Sequence, residues 1–495
     1  MFNLRSRKRL CLFECFRFIG RVLLTTVIAL TLSRAASPRA ALAEELGGNG
    51  APKPAENAAA AAPAEEHPYG FGEWWLFGGQ TTGVAQVNTR MKSPYDNPAI
   101  SYGPKPSLGW SVTATLYGAF RLWPGASVVA EPEFADGGGM PNVSGLAGYV
   151  NGEIVRVAKV GILPYVARAY IRQSIPLGGA PTDEKAEFEE RFAPTGPGPF
   201  AVREANTPFR LEIVLGEFAM NDFFDASAVA ADPRRHFLNW SLMEQGSWDY
   251  PADTRGYTTG GVISLEHPDF ALRAGTAAMP TAANAPNLDW DVHHNGSVMA
   301  EGEARYRPLD QPGSAKLLYW SNWAHMGSYA DALNEAAPGK APDVTAVEKI
   351  GARKQGVGLL VDQQFGKWVN AFFRIGASDG KSEVFVFTEI DRDLSAGAEI
   401  AGEPWQRPDD RLAVAVALNG ISPIDGKYLA AGGVTYQLGD GGLRRATETV
   451  IESYYVFGLW RYLELTLDAQ GIFNPGMNAD RGPVGVFGVR FHVRI

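Results

Sequence analysis

The stretch GVFGVRFHVRI, Gly485 to Ile495, decides how this chain is read. Phe487, Val489, Phe491, Val493 and Ile495 fall on one face of an extended chain, and Gly488, Arg490, His492 and Arg494 on the other. A period of two marks a strand with one apolar and one wet face. The chain stops on that strand, begins with a secretion signal and has no membrane helix. Together these predict a closed barrel in an outer membrane, with the apolar face against lipid and the charged face lining a channel.

The N-terminus reads as a targeting segment. Arg5, Arg7, Lys8 and Arg9 form a basic stretch, and Val22 to Leu32 is uncharged and largely apolar. Ala41-Leu42-Ala43 then offers a small-x-small cleavage site before Glu44. The apolar run is shorter than the about 20 residues of a spanning helix, which argues against the alternative of an uncleaved anchor. Cys11 and Cys15 are the only cysteines, and both lie inside this signal. The mature chain is therefore expected to have no disulfide or thiol chemistry. With no cysteine after the apolar run, a lipoprotein anchor is not expected either. Residues 44–70 are dominated by Ala, Pro, Gly and Glu, a composition that cannot bury enough apolar surface to order itself. The expected division is a signal peptide at 1–43, a disordered periplasmic leader at 44–70 and a barrel at 71–495.

Removing residues 1–43 takes away eight of the 45 Lys and Arg and one of the 54 Asp and Glu. That leaves 37 basic against 53 acidic residues, a mature net charge of −16. A chain this acidic does not suit nucleic acid. No mature segment approaches about 18 consecutive apolar residues, so spanning helices are excluded. Alternating stretches of roughly ten residues recur instead, separated by Gly, Pro, Asn and Asp clusters. Leu463, Leu465, Leu467 and Ala469 oppose Glu464, Thr466, Asp468 and Gln470. Val369, Ala371, Phe373 and Ile375 oppose Asn370, Arg374 and Ser378; Leu412, Val414, Val416 and Leu418 oppose small alanines. Sixteen strands are expected, since bacterial single-chain barrels have even numbers. Trp74, Trp75, Phe77, Trp110, Trp123, Tyr454, Tyr455, Phe457, Trp460 and Tyr462 concentrate at strand ends, as interfacial girdles require. Alternation alone does not identify the apolar solvent, and a soluble sandwich with core aromatics is the competing reading.

Four connections exceed hairpin length, which is uncommon without a function. Pro132 to Ala158 reads as a Gly-rich loop carrying Gly137-Gly138-Gly139 and a short helical pattern near Glu153. Gly178 to Asn206 is rich in Gly, Pro and Glu. Asn221 to Gly256 is expected to hold a short helix near Asp225 to Ala231, and Ser328 to Lys354 one or two more. Gly376-Ala377-Ser378-Asp379-Gly380 matches G-x-S-x-G, but a nucleophile elbow runs into a helix. Lys381 to Phe387 reads as a further strand, so Asp379-Gly380 is expected to be a two-residue hairpin turn. His293-His294 is the only histidine pair and matches no metal motif, so no metal or cofactor is implied.

Inward-facing charges are the best guide to function. Arg168, Tyr170 and Arg172 share a face opposite Ala167, Ala169 and Ile171. Glu131 and Glu133 point together, as do Glu301, Glu303, Arg305 and Arg307. A lumen carrying both signs beside aromatic rings can orient a neutral polyhydroxyl solute. The competing reading is a ladder of ion pairs bracing the wall. Glu131 and Glu133, about 6.6 Å apart on a strand, come near the about 5–5.5 Å of a retaining glycosidase pair. Any strand with two like charges passes that test, so catalytic residues are not assigned.

The chain from about Gly78 resembles the OprB-type carbohydrate-selective porins of Gram-negative outer membranes. Seven segments in order carry the likeness: YGAFRLWP at Tyr117–Pro124, RAYIRQ at Arg168–Gln173, FLNWSLM at Phe237–Met243, WDYPADTRGY at Trp248–Tyr257, FTEIDR at Phe387–Arg392, YLAAGG at Tyr428–Gly433 and NPGMNADRGP at Asn474–Pro483. The resemblance implies a sixteen-stranded barrel, a constriction formed by inward-folded loops, and passive, sugar-preferring diffusion. The substrate path is expected at Glu131, Glu133, Arg168, Arg172, Asn239 and Trp240, the last two on a second inward loop. Expected partners are carbohydrate solutes, outer-membrane lipid and the barrel-assembly machinery, with homo-oligomerisation left open. Two departures stand out. The chain ends on Ile495 where such barrels usually end on an aromatic residue, and the Ala/Pro leader is foreign to the family. A β-rich polysaccharide-acting enzyme and a polysaccharide-export barrel are the alternatives.

Overall fold

Sixteen antiparallel strands close on themselves in the computed structural model, which describes residues 75–94, 102–139, 144–154, 164–179, 207–439, 441–460 and 462–494. The first eight are β1 (Trp75–Asn88), β2 (Leu108–Trp123), β3 (Ala126–Gly139), β4 (Tyr165–Gly178), β5 (Phe209–Phe218), β6 (Thr258–Glu266), β7 (Phe270–Ala278) and β8 (Gly296–Tyr306). The second eight are β9 (Gly313–Met326), β10 (Lys349–Phe365), β11 (Val369–Ser378), β12 (Arg392–Ala401), β13 (Arg411–Gly420), β14 (Glu448–Trp460), β15 (Leu463–Phe473) and β16 (Val484–Arg494). Each strand pairs with its neighbours in sequence, and β1 closes on β16 from Gln80↔Arg494 to Asn88↔Val486. Closure removes both sheet edges, so every spanning backbone group finds its partner inside the wall. Three short helices, α1 (Trp240–Met243), α2 (Tyr329–Glu335) and α3 (Pro423–Ala430), lie between strands. The expected signal, leader, Trp74 and Ile495 fall outside the described residues.

The alternation sorts as expected. Val489, Phe487, Leu467, Val414 and Ile375 are exposed on the outer wall, while Arg490, Asp468, Gln470 and Arg374 are buried inside. Brief turns such as Pro124-Gly125 and Gly366-Lys367-Trp368 mark one end, the periplasmic side in barrels of this kind. At that end Phe77 packs on Phe120 with ring centroids 5.2 Å apart, and Trp123 and Trp460 are exposed. This is one aromatic girdle. Tyr454, expected in it, instead faces inward and packs on Phe237 with ring centroids 5.0 Å apart.

The structure corrects four readings. Pro132 to Gly139 is strand, not loop: Gly137, Gly138 and Gly139 pair with Ser111, Trp110 and Gly109, and the ladder overrides the weak strand preference of glycine. Pro132, which has no N–H to give, sits where the β3–β4 register shifts. The same bulge turns Ala167 inward, where it is buried against Ala219 and Tyr257 instead of facing out. Asp225 to Ala231 is not helical, because the carbonyls of Asp225 and Ala230 accept from the Arg374 guanidinium. Lys381 to Phe387 is not a strand either, and residues 379–391 cross the mouth. Phe385 N and Val386 N donate to Asp249 Oδ1 at 3.0 and 3.1 Å, leaving no ladder to form. Ser328 to Lys354 does hold α2 and a single turn at Thr345–Val347, with β10 taking its last residues.

The largest apolar cluster lies inside the barrel. Phe218, Phe224, Phe237, Leu242 and Trp248 pack on the wall residues Trp320, Leu360, Phe372 and Tyr454. A lumen that contains its own core is occupied by folded chain, not by water alone.

Candidate substrate path

Residues 219–257, between β5 and β6, fold into the barrel, and buried backbone there must find partners. The wall supplies them by type. Carbonyls meet arginine. Arg374, wholly buried on β11, donates to Asp225 Oδ1 at 2.9 Å, to Leu242 O at 2.8 Å and to Ala230 O at 3.3 Å. Arg490 on β16 donates to the carbonyls of Pro233, His236 and Arg235 at 2.8, 2.6 and 2.8 Å. Backbone N–H groups meet carboxylates. Glu452 accepts from Leu238 N and Asn239 N at 2.6 and 2.9 Å, and Asp393 from Ser247 N at 2.8 Å. Gly376 and Gly358 give the segment room to dock: a Cβ at Gly376 would lie 2.2 Å from Gln245 Nε2, and one at Gly358 2.6 Å from Gln245 Oε1. Residues 144–154 lie beside it, with Trp240 N donating to Tyr149 O and Gly152 N to Leu238 O, both at 2.8 Å.

The six residues singled out in the sequence are all inside the barrel. Arg168 joins Glu131 at 2.8 Å and Asp222 at 2.6 Å through charge-assisted bonds, so it ties β3 and β4 to the inward segment. Glu133 accepts from Arg234 Nη2 at 2.6 Å and from the hydroxyls of Tyr257 at 3.0 Å, Thr115 and Tyr165. Arg172 pairs with Glu212 at 2.7 Å. Asn239 caps α1 by accepting from Ser241 N, and its Nδ2 donates to Gln470 Oε1 at 3.0 Å. The Trp240 ring lies 4.3 Å from that of Phe387, centroid to centroid. Glu131, Glu133, Asn239 and Trp240 are each at most 4% exposed, whereas the Arg168 and Arg172 side chains keep 11% and 10% of their surface. Four of the six sit behind the water face, and two reach it.

The rest of that face is a belt of opposed charges near the periplasmic ends of the strands. Arg273 pairs with Glu266, Glu301 and Glu303 at 3.0, 2.9 and 2.8 Å, and Arg305 with Glu266 and Glu303 at 2.8 and 3.0 Å. Lys316 faces Asp362 at 3.7 Å. Arg411 reaches Glu464 at 3.1 Å and Glu399 at 3.3 Å, and Arg235, from the inward segment, joins Glu464 at 3.3 Å. Every cation here has a carboxylate neighbour, so the belt offers paired donors and acceptors with little net field. Such a surface suits hydroxyl pairs better than free ions.

Sequence reasoning put Arg374 and Arg490 on inward faces, but alternation gives a direction and no partner. The carbonyls that occupy them lie more than a hundred positions away in the chain. Asp222, Arg234 and the half-exposed Phe223 were missed outright, because the inward segment has no period to read.

A family model described as carbohydrate-selective porin, OprB family, matches residues 186–495. Among solved structures, the high-pH structure of Pseudomonas putida OprB superposes with a TM-score of 0.62 at 16% identity, covering 86% of this chain and 94% of that one. The outer membrane channel DcaP of Acinetobacter baumannii gives a TM-score of 0.45 at 8% identity, over 85% of this chain and 97% of that one. No curated protein matches at the level of sequence.

Proposed function

The chain belongs to the OprB family of carbohydrate-selective porins, and on that premise we propose that it admits glucose-like monosaccharides and small oligosaccharides into the periplasm past the inward segment. It is an outer-membrane β-barrel, and both family and fold are those of channels rather than enzymes. The observation that carries the finer reading is the contrast in exposure among the six predicted residues. Glu133, Asn239 and Trp240 hold the inward segment in place, Arg168 ties it to Glu131 through Asp222, and the partly exposed guanidinium groups of Arg168 and Arg172 face solute. A sugar loses water at the narrowing and regains hydrogen bonds from the paired belt, with the half-exposed Phe223 ring offering a face to its C–H surface. A small ion gains less there, because each fixed charge already has its counter-charge. Insertion by the barrel-assembly machinery, the division at residues 43 and 70, and homo-oligomerisation belong to the same proposal.

A site that hydrogen-bonds hydroxyls loses its preference when those donors are removed, whereas a merely wide pore does not. Arg168→Ala with Arg172→Ala should weaken sugar block of ion current in planar bilayers. Liposome swelling with glucose, against an uncharged non-sugar of equal size, supplies the control. Unchanged block would assign both arginines to wall bracing.

A further inference from the structure

The outer wall must be apolar where it meets lipid tails, so a cation on it needs a reason. Arg353 lies on β10 between the inward-facing Lys354 and Ala352, and its exposed side chain turns outward. Arg392, the first residue of β12, is exposed beside the inward Asp393. Lys381, three residues past the end of β11, is exposed. The β10–β11 pairing ends at Gly356↔Ser378, and Asp379 N donates to Gln355 O at 2.9 Å, which brings the chain at Lys381 up beside Arg353. None of the three side chains has a hydrogen bond or ion pair among the described residues. Asp379 spends its carboxylate on the backbone N–H of Lys381 at 3.3 Å.

Depth along the wall gives these cations a setting. The outward row of β10 below Arg353 runs through Gln355, then the apolar Val357, Leu359 and Val361, then Gln363 to Phe365, next to the exposed Trp368 of the periplasmic turn. Twelve residues at about 3.4 Å each, tilted by about 45°, rise about 29 Å, a little more than the about 25 Å of the apolar band in such barrels. Arg353 thus sits at the outer-leaflet interface. Its cross-strand partner Trp323 donates Nε1–H to Val292 O at 2.9 Å, as an interfacial indole does. Elsewhere on the extracellular rim the outward positions Val87, Val298 and Phe473 are uncharged, and Glu217 on β5 is acidic. Exposed cations also stand in the connection after β1, at Arg90, Lys92 and Lys105, but the outward cations carried on the strands themselves are those of β10 and β12.

We propose that Arg353, Lys381 and Arg392 form a binding site for the phosphate-bearing headgroup of an outer-leaflet lipid. The acyl chains lie along the apolar row below, and the phosphate oxygens take the unpaired guanidinium and ammonium donors.

The test uses the full barrel in detergent and native mass spectrometry with added bis-phosphorylated lipid A. Arg353→Gln, Lys381→Gln and Arg392→Gln together should weaken its retention about 100-fold, about fivefold for each cation at a membrane surface. Lys367→Gln, which removes a cation from a periplasmic turn, should not. Lipid A stripped of its phosphates should bind the parent protein as weakly as intact lipid A binds the triple variant. That comparison needs no substitution, so it decides the matter even if the triple variant fails to fold. Equal retention of both lipids by the parent protein, or undiminished retention by a folded triple variant, overturns the site. Displacement of lipid A by inorganic phosphate at matching concentration would mark a free-anion site and overturn the lipid assignment.

Discussion

Two sets of arginines line the same lumen and do opposite work. Arg374 and Arg490 give their N–H groups chiefly to backbone carbonyls of the inward segment and are at most 1% exposed. Arg168, Arg172, Arg273, Arg305 and Arg411 give theirs chiefly to carboxylates, Arg305 reaching His267 O as well, and keep between 10% and 17% of their side-chain surface. The first set acts as a clamp on chain whose regular structure, among the described residues, is limited to single helical turns at Met220–Asp222 and α1. The second forms a wet surface whose charge is cancelled in place. A guanidinium that satisfies carbonyls is consumed by the fold, whereas one bridging carboxylates at the water face retains donors for a passing hydroxyl. The partner decides the role, and the residue type does not.

The sharpest way to break this comparison is Arg374→Ala. It strands the Asp225 carboxylate and several carbonyls in a dry site, and removing one partner of a buried pair costs about 3–5 kcal/mol. The barrel should still migrate differently before and after boiling, but the inward segment should become protease-sensitive and the conductance larger and noisier. Next in size is Val489→Arg, which puts charge on the lipid face at about 2–4 kcal/mol near the midplane and should impair assembly on the same gel assay. Its neighbour makes the internal control. From alternation alone, Arg490→Gln should be nearly silent. With Pro233, Arg235 and His236 hanging on that guanidinium, the barrel should assemble while residues 233–236 exchange amide hydrogens faster.

The sequence makes the wall legible and leaves the interior almost dark. In β16 each side chain's direction follows from parity, because lipid and lumen impose opposite demands on alternate positions. Gly137–Gly139 and Lys381–Phe387 show where local rules stop. Pairing with β2 keeps the glycines extended, and the distant Asp249 carboxylate keeps Phe385 and Val386 out of a ladder. The candidate residues stand between these limits. Glu131, Glu133, Arg168 and Arg172 face the lumen side that parity assigns them, but parity cannot tell that Glu133 is enclosed by Arg234, Tyr165 and Tyr257. The inward segment is irregular because its hydrogen bonds run to the wall, and such bonds leave no period in a sequence.

The extracellular cap extends the comparison to acids. Glu389, buried, accepts from Tyr329 Oη of α2 at 3.2 Å and from Thr435 Oγ1 at 2.8 Å. Burial pushes its carboxyl up to about 8 and that of Glu383 up to about 7, and Asp425 of α3 is raised as well. Lys354, Asp391, Asp249 and Tyr428 also face this cluster. The native cap holds protons that the unfolded chain releases from its ordinary carboxylate range upward. Its stability is therefore full at acid pH and is lost as pH rises through about 8. Once the base-catalysed rise common to all amides is divided out, exchange around residues 385–390 and 428–438 should quicken between pH 6 and 9, and Glu389→Gln should flatten that rise. Residues 233–236, held by an arginine that stays charged, should change least.

The central claim is that carbonyl-bound arginines set the bore and carboxylate-paired ones set the preference. Single-channel current in potassium chloride, with and without glucose, tests it directly when Arg374→Ala is compared with Arg168→Ala/Arg172→Ala. The account predicts a larger and noisier conductance in the first, and in the second a conductance near that of the parent with weakened glucose block. If both variants change conductance and glucose block in the same proportion, the two sets of arginines do one job and the account is wrong.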